Sequence, residues 1–295
     1  MRYLKEYKLW EQSKELTKNQ VDFLNRSIMP LQSVNPVTGT WSVNSEGLVD
    51  VDGNFDCARE GLNNFQGIRF GKISGSFNCS ENSLSSLEGA PKEVRGNFYC
   101  HRNQLTSLEG APRELGGSFN CSENSLSSLE GAPREVGGGF YCSENQLTSL
   151  EGAPREVGGD FDCSYNQLTS LKGAPREVGG NFYCHRNQLT SLKGAPRGVR
   201  RDFYCHRNQL TSLEGAPQEV RWDFYCESNP ISDQTIELIC QKMRENPDLG
   251  YGAILASLQS RIPREDWEKL DKSSMDKMNQ TRKKVYGMLG GIGGI

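Results

Sequence analysis

Apolar positions recur along most of this chain with one long period instead of the short period of a single helix or strand. From Phe77 to Asp223 the pattern F-x-C-x-x-N-x-L-x-S-L-x-G-A-P returns seven times. Cys79, Cys100, Cys121, Cys142, Cys163, Cys184, Cys205 and Cys226 stand 21 residues apart, and Cys57 precedes them at a spacing of 22. Phe and Cys, two apart, share one side of a short strand. Asn, three residues after Cys, ends that strand with an amide able to bond the backbone of the turn. The leucines five and eight residues after Cys turn inward, and Gly-Ala-Pro enforces a tight, non-helical return. One copy cannot bury this apolar side alone. Stacked copies can, so the period predicts a solenoid.

Outside the repeat the pattern changes. Tyr3, Tyr7 and Trp10 have helical spacing, and a second short helix is expected from Thr17, with Gln20 completing a capping box. Pro30 and Pro36 interrupt this region. Residues 41–43 and 48–51, separated by Asn-Ser-Glu-Gly, predict a hairpin leading into Phe55 and Cys57. After the last copy, Ser232 can cap a helix bearing Ile236, Ile239, Cys240 and Met243, stopped by Pro247. Further helical stretches carry Ile254, Leu258 and Ile262, then Trp267 and Leu270, then Met275, Met278, Val285 and Leu289. The expected organisation is an N-terminal helical and hairpin cap at 1–53, a solenoid of about nine repeats at 54–229, and a C-terminal helical cap with a Gly-rich tail at 230–295.

The V-x-x-x-F-x-C-x-x-N-x-L-x-x-L wording resembles the leucine-rich repeat, with Phe and Cys at two of its aliphatic positions. Its Leu-x-x-Leu…Pro return is similar to the short repeats of bacterial leucine-rich effectors. The F-x-C…N-Q-L-T-S-L-E-G-A-P-R-E-V-G-G wording is similar to uncharacterised phage and giant-virus leucine-rich proteins. The resemblance covers about residues 40–290 and implies an α/β solenoid. Its features would be a leucine-rich repeat arc, a parallel sheet with one short strand per repeat, non-helical convex returns and helical caps at both ends. For activity it implies only a binding scaffold. A viral structural or virion assembly protein is the alternative.

Because the copies are nearly identical, information concentrates where they differ. The residue between Phe and Cys reads Asp56, Asn78, Tyr99, Asn120, Tyr141, Asp162, Tyr183, Tyr204 and Tyr225. The next two columns contain His101, His185 and His206, then Arg102, Tyr165, Arg186 and Arg207. Alternation puts the first two columns on the open, concave face. The candidate partner-binding residues are Tyr99, His101, Tyr141, Asp162, Tyr183, His185, Arg186, Tyr204, His206, Arg207 and Tyr225. Arg200, Arg201, Arg221 and Trp222 stand just before neighbouring strands, and aromatic and Arg residues are the usual interface anchors. A competing account is that the tyrosines only stack along the sheet. The expected partner is a protein, with homo-oligomer or virion assembly as further options.

Composition narrows this picture. Hydrophobic residues make up only 35% of the chain and the mean hydropathy is −0.65, lean for an enzyme with one thick core but suited to a thin core drawn out along a solenoid. Charge is nearly balanced, 34 Lys and Arg against 37 Asp and Glu, which argues against nucleic acid or an anionic membrane as main partner. No apolar run reaches the roughly 18 residues of a membrane span. The charged N-terminus lacks a signal-peptide core, so a host-cell cytoplasmic or virion location is expected.

Ten cysteines invite metal or redox chemistry, but no C-x-x-C occurs and nine of them occupy the inward position. Each His follows a ladder Cys and so faces the opposite side, leaving too few ligands for zinc. No nucleophile–base–orienter set, phosphate loop or paired-carboxylate motif is present. No catalytic residue, metal or cofactor is therefore expected. Cys240, outside the ladder, is the one enzymatic candidate, because the resemblance to bacterial leucine-rich effectors implies that a cysteine-dependent ubiquitin ligase domain can follow the repeats. Its apolar helical context favours burial instead.

Overall fold

The computed structural model describes residues 16–29, 40–211, 213, 215–226 and 228–230. Helix α1 (Lys18–Ser27) starts where expected: Thr17 Oγ1 accepts from the Gln20 amide and the Gln20 side chain accepts from the Thr17 amide. Its Phe23 and Leu24 are fully buried, and Phe23 meets Phe55 edge to face at 5.6 Å. Strand β1 (Ile28–Met29) then runs antiparallel to β4 (Asn54–Asp56), covering the first edge of the main sheet. The expected hairpin forms from β2 (Thr40–Val43) and β3 (Val49–Asp52), and β3 continues in parallel to β5 (Phe70–Ile73). The helical calls on residues 2–15 and 231–295, Cys240 included, lie outside the described residues.

The chain divides into two units, residues 1–139 and 140–295, and within each the described residues form a parallel-strand solenoid. In the first unit the main sheet continues through Phe77–Asn78, Phe98–Tyr99 and Phe119–Asn120. In the second it comprises Phe140–Tyr141, Phe161–Asp162, Phe182–Tyr183, Phe203–Tyr204 and Phe224–Tyr225. These strands are in register, because the repeat pairs each residue with the same position of the next copy. Phe therefore stacks on Phe, at 5.3 Å and 7° between Phe161 and Phe182 and again between Phe182 and Phe203. Such contacts add ~0.5–1.5 kcal/mol each beyond the area they bury.

Cysteine and both leucines complete this core. Cys163, Leu168 and Leu171 are fully buried, as are their equivalents in nearly every coil. Burial raises the thiol pKa of Cys57, Cys79, Cys100, Cys121, Cys163 and Cys184, which keeps these groups protonated and unreactive. The nine described cysteines are thiols, not disulfides.

The parallel-strand solenoid with non-helical returns is as expected, and α1 is the helix among the described residues. One detail differs: each regular coil has a second short strand beside the expected one. The Glu-Val return pairs in parallel with its neighbours, as Glu156–Val157 with Glu177–Val178. A single inward Val between Glu and Gly-Gly has no periodicity to read, yet coil stacking places its backbone within pairing distance of the next copy.

Candidate interaction face

The half-buried residues of the variable column face away from the buried Phe and Cys, as alternation requires. They fall into two kinds of coil. Where the column holds Asp or Asn, the side chain turns back onto its own chain. Asn78 Oδ1 accepts from the Ser80 amide at 3.1 Å and the Ser80 hydroxyl at 2.7 Å, and Asp162 does the same with Ser164 at 2.9 and 2.6 Å. Asp162 thus caps its own turn, and burial raises its carboxyl pKa. Where the column holds Tyr, His commonly follows two residues later and meets the ring edge to face. The centroid distances are 6.3 Å for Tyr99–His101, 6.2 Å for Tyr183–His185 and 6.3 Å for Tyr204–His206.

These Tyr–His coils are distributed unevenly. Tyr99 has Asn78 and Asn120 as register partners in the first unit, so its column offers it no aromatic neighbour. Tyr141 stands beside Asp162, which stands beside Tyr183. Three tyrosines follow without interruption: Tyr183 and Tyr204 stack at 4.7 Å, and Tyr204 and Tyr225 at 4.5 Å with planes 5° apart. His185 and His206 stack alongside at 4.5 Å. Stacking covers both faces of Tyr204 and one face each of Tyr183 and Tyr225. Tyr204 Oη donates to Asp202 and Tyr225 Oη to Asp223.

Electrostatics keep Tyr183, Tyr204 and His185 neutral. Burial and neighbouring carboxylates raise the pKa of Tyr183 and Tyr204. His185 is pushed down to about 4, first by burial, then by His206 and Arg186. Its Nδ1 is buried without a hydrogen-bond partner, as is that of His101. Among the described residues no cluster of three or more His, Cys, Asp or Glu is placed to hold a metal.

The third variable column adopts the left-handed conformation in every coil, from Arg59 at φ 60° to Arg207 at 54°. Its side chains point outward. In the first unit they neutralise each other between coils, Arg59 with Glu81 at 2.6 Å and Arg102 with Glu123 at 2.8 Å. In the second unit the Arg186 guanidinium instead lies 4.7 Å over the ring of Tyr165, which also meets His185 at 5.5 Å. Tyr165 is 43% exposed and joins the patch, although reading by columns does not single it out. Its signal is an aromatic residue where other coils carry charge. Of the sequence candidates, the structure brings together Tyr183, His185, Arg186, Tyr204, His206 and Tyr225. Arg207 lies exposed beside them, whereas Tyr99 and His101 belong to the first unit.

No protein-family model matches the chain, and no curated protein matches it. Among solved structures, YopM from Yersinia enterocolitica WA-314 matches at 20% identity with a TM-score of 0.39. The match covers 61% of this chain and 47% of that one, so the chain spans about half the length of that protein. The resemblance to leucine-rich repeats rests on the coil itself, with its buried leucine pair, register-matched strands and continuous row of asparagines.

Proposed function

We propose that the chain is a non-catalytic repeat scaffold that binds a protein partner through the strand face of its second unit. The supporting observation is the aromatic ladder of Tyr183, Tyr204 and Tyr225 with its flanking His185 and His206. The fold does not require it, since Asp and Asn coils close their own turns at the same position. Three adjacent half-exposed tyrosines beside Arg186 and Tyr165 supply rigid contact area, the composition of interface anchors.

A variant that converts these coils into the protein's own alternative keeps the fold and removes the surface. Tyr183→Asn with His185→Ser, combined with Tyr204→Asn with His206→Ser, reproduces the Asn78–Ser80 arrangement. The expected outcome is an unchanged circular dichroism spectrum and loss of the partners that wild type retains in affinity capture. Equal retention of every partner by the folded variant would overturn the reading.

A further inference from the structure

Each regular coil carries glycine two residues before the strand Phe, preceded by the second strand of the coil: Gly75, Gly96, Gly117, Gly138, Gly159 and Gly180. Sterics demand it. A Cβ on Gly180 would run into Asp160 Oδ1 and approach the Asp160 amide nitrogen to 2.8 Å, and one on Gly117 would lie 2.6 Å from the Gly96 carbonyl oxygen. Two consecutive coils nevertheless place large side chains there, Arg201 and Trp222, each preceded by a further Arg. The backbone gives way. The coil-to-coil bond from this position is 2.8–3.0 Å at Gly96, Gly117, Gly138 and Gly180, but 3.2 Å at Arg201 and 3.4 Å at Trp222.

The gain from this loosening lies on the outside. Arg200, Arg201, Arg221 and Trp222 are all exposed, Trp222 to 55%, and the Arg201 guanidinium lies 5.2 Å over the Trp222 ring. Charge changes at the same place. The coil from Phe182 to Asp202 holds five Lys and Arg (Arg186, Lys193, Arg197, Arg200 and Arg201) against one acid, Asp202, a formal +4. The six other complete copies range from −3 to 0. Gly198 stands where neighbouring coils carry Glu177 and Glu219, removing an acid as well. Asp202 is internally engaged, accepting from the Asp223 amide on one oxygen and from Tyr204 on the other.

We propose that the edge formed by Arg200, Arg201 and Trp222 docks an acidic protein segment, its carboxylates on the two guanidinium groups and an apolar side chain against Trp222, beside Arg221, which Glu219 holds at 3.2 Å. The proposal rests on the protein-binding reading above and names the chemistry of the partner. Arg is the residue suited to carboxylate recognition at interfaces, and an Arg-stacked Trp is a rigid anchor. A single-stranded nucleic acid would need open aromatic faces for its bases. Here both faces of Tyr204, one face each of Tyr183 and Tyr225, and one face of Trp222 are taken up by neighbouring groups, while Asp202 and Asp223 border the ladder with acid.

The test uses the full chain, a fluorescein-labelled Glu-rich peptide containing one Phe, and fluorescein-labelled oligothymidylate. Restoring the repeat's own residues with Arg200→Gly plus Arg201→Gly, or with Trp222→Gly, preserves the fold and should leave the melting temperature at or above wild type. Each should weaken peptide binding about tenfold or more. Binding should also fall steeply with salt and be unmoved by the control Arg155→Gln plus Arg176→Gln. Equal peptide binding by the glycine variants overturns the assignment of the edge. Absence of peptide binding by wild type overturns the acidic partner and leaves the tyrosine-face capture result standing by itself. Tighter binding of oligothymidylate, lost in the same variants, overturns the partner class in favour of nucleic acid.

Discussion

The repeated asparagine carries more of the fold than its single letter suggests. Asn187 Nδ2 donates to the carbonyl of Cys163 in the coil before it at 3.0 Å and to that of Cys184 in its own at 3.1 Å, while Oδ1 accepts from the Leu168 amide at 2.9 Å. One side chain thereby satisfies buried backbone groups of two coils. Asn187→Ala leaves them unpaired at ~1–3 kcal/mol each, and a loss of about 3 kcal/mol or more is expected from urea denaturation midpoints. Asn187→Asp should be comparably severe, because a carboxylate cannot donate to the two carbonyls. The left-handed residue is the opposite case. Glu144 holds φ 54° without glycine, and Glu144→Gly should gain about 0.5 kcal/mol, the relief of αL strain less the added freedom of the unfolded chain. The asparagine's end-of-strand role was legible in the sequence from its position after Cys. Its reach into the preceding coil was not, since only stacking brings that carbonyl near.

At the scale of the strand, the pairing of Tyr with His and of Asn or Asp with Ser was present in the variable columns but had no meaning there. Variation alone looks like diversity at a binding face, and part of it is a choice between two ways of closing the same turn. Asp162 belongs to the turn-closing kind, while Tyr183 and Tyr204 belong to the other. The second strand of each coil was illegible for a different reason, being two residues long and stabilised only by its copies. His185, stacked on His206, gives this element a pH dependence. His185 titrates at about 4 in the fold and near the ordinary 6.5 when unfolded, so between these values the unfolded chain binds the extra proton. Its contribution to stability is complete above pH 6.5 and declines as pH falls towards 4. Asp162, whose pKa burial raises, acts in the opposite sense, so the comparison must isolate the histidine. Thermal melts at pH 7 and pH 5 should show a smaller decrease for His185→Ser than for wild type. An identical decrease would mean that the histidine stack does not resist protonation.

At the scale of the molecule, period and register are the same fact. Because every coil presents the same Phe, Cys, Asn and Leu to its neighbours, the second unit should tolerate removal of a whole coil but not of part of one. Deleting the 21 residues from Phe161 to Asn181 joins Asp160 to Phe182, so that Phe182 stacks on Phe140 and Asn187 bonds the Cys142 carbonyl in place of Asn166, which now holds it at 3.0 Å. The shortened protein should fold, with a lower urea m-value because less surface is exposed on unfolding. The deletion also brings Tyr141 beside Tyr183, where Asp162 now separates them, and so lengthens the tyrosine ladder by one ring. Removing only Phe161 to Asn166 instead leaves a coil of 15 residues, 167–181, too short for a full turn and without the Phe, Cys and Asn that stack on its neighbours. That chain should lose cooperative unfolding. If both deletions unfold alike, the coils are not interchangeable units, and the stacking of like on like is not what holds the second unit together.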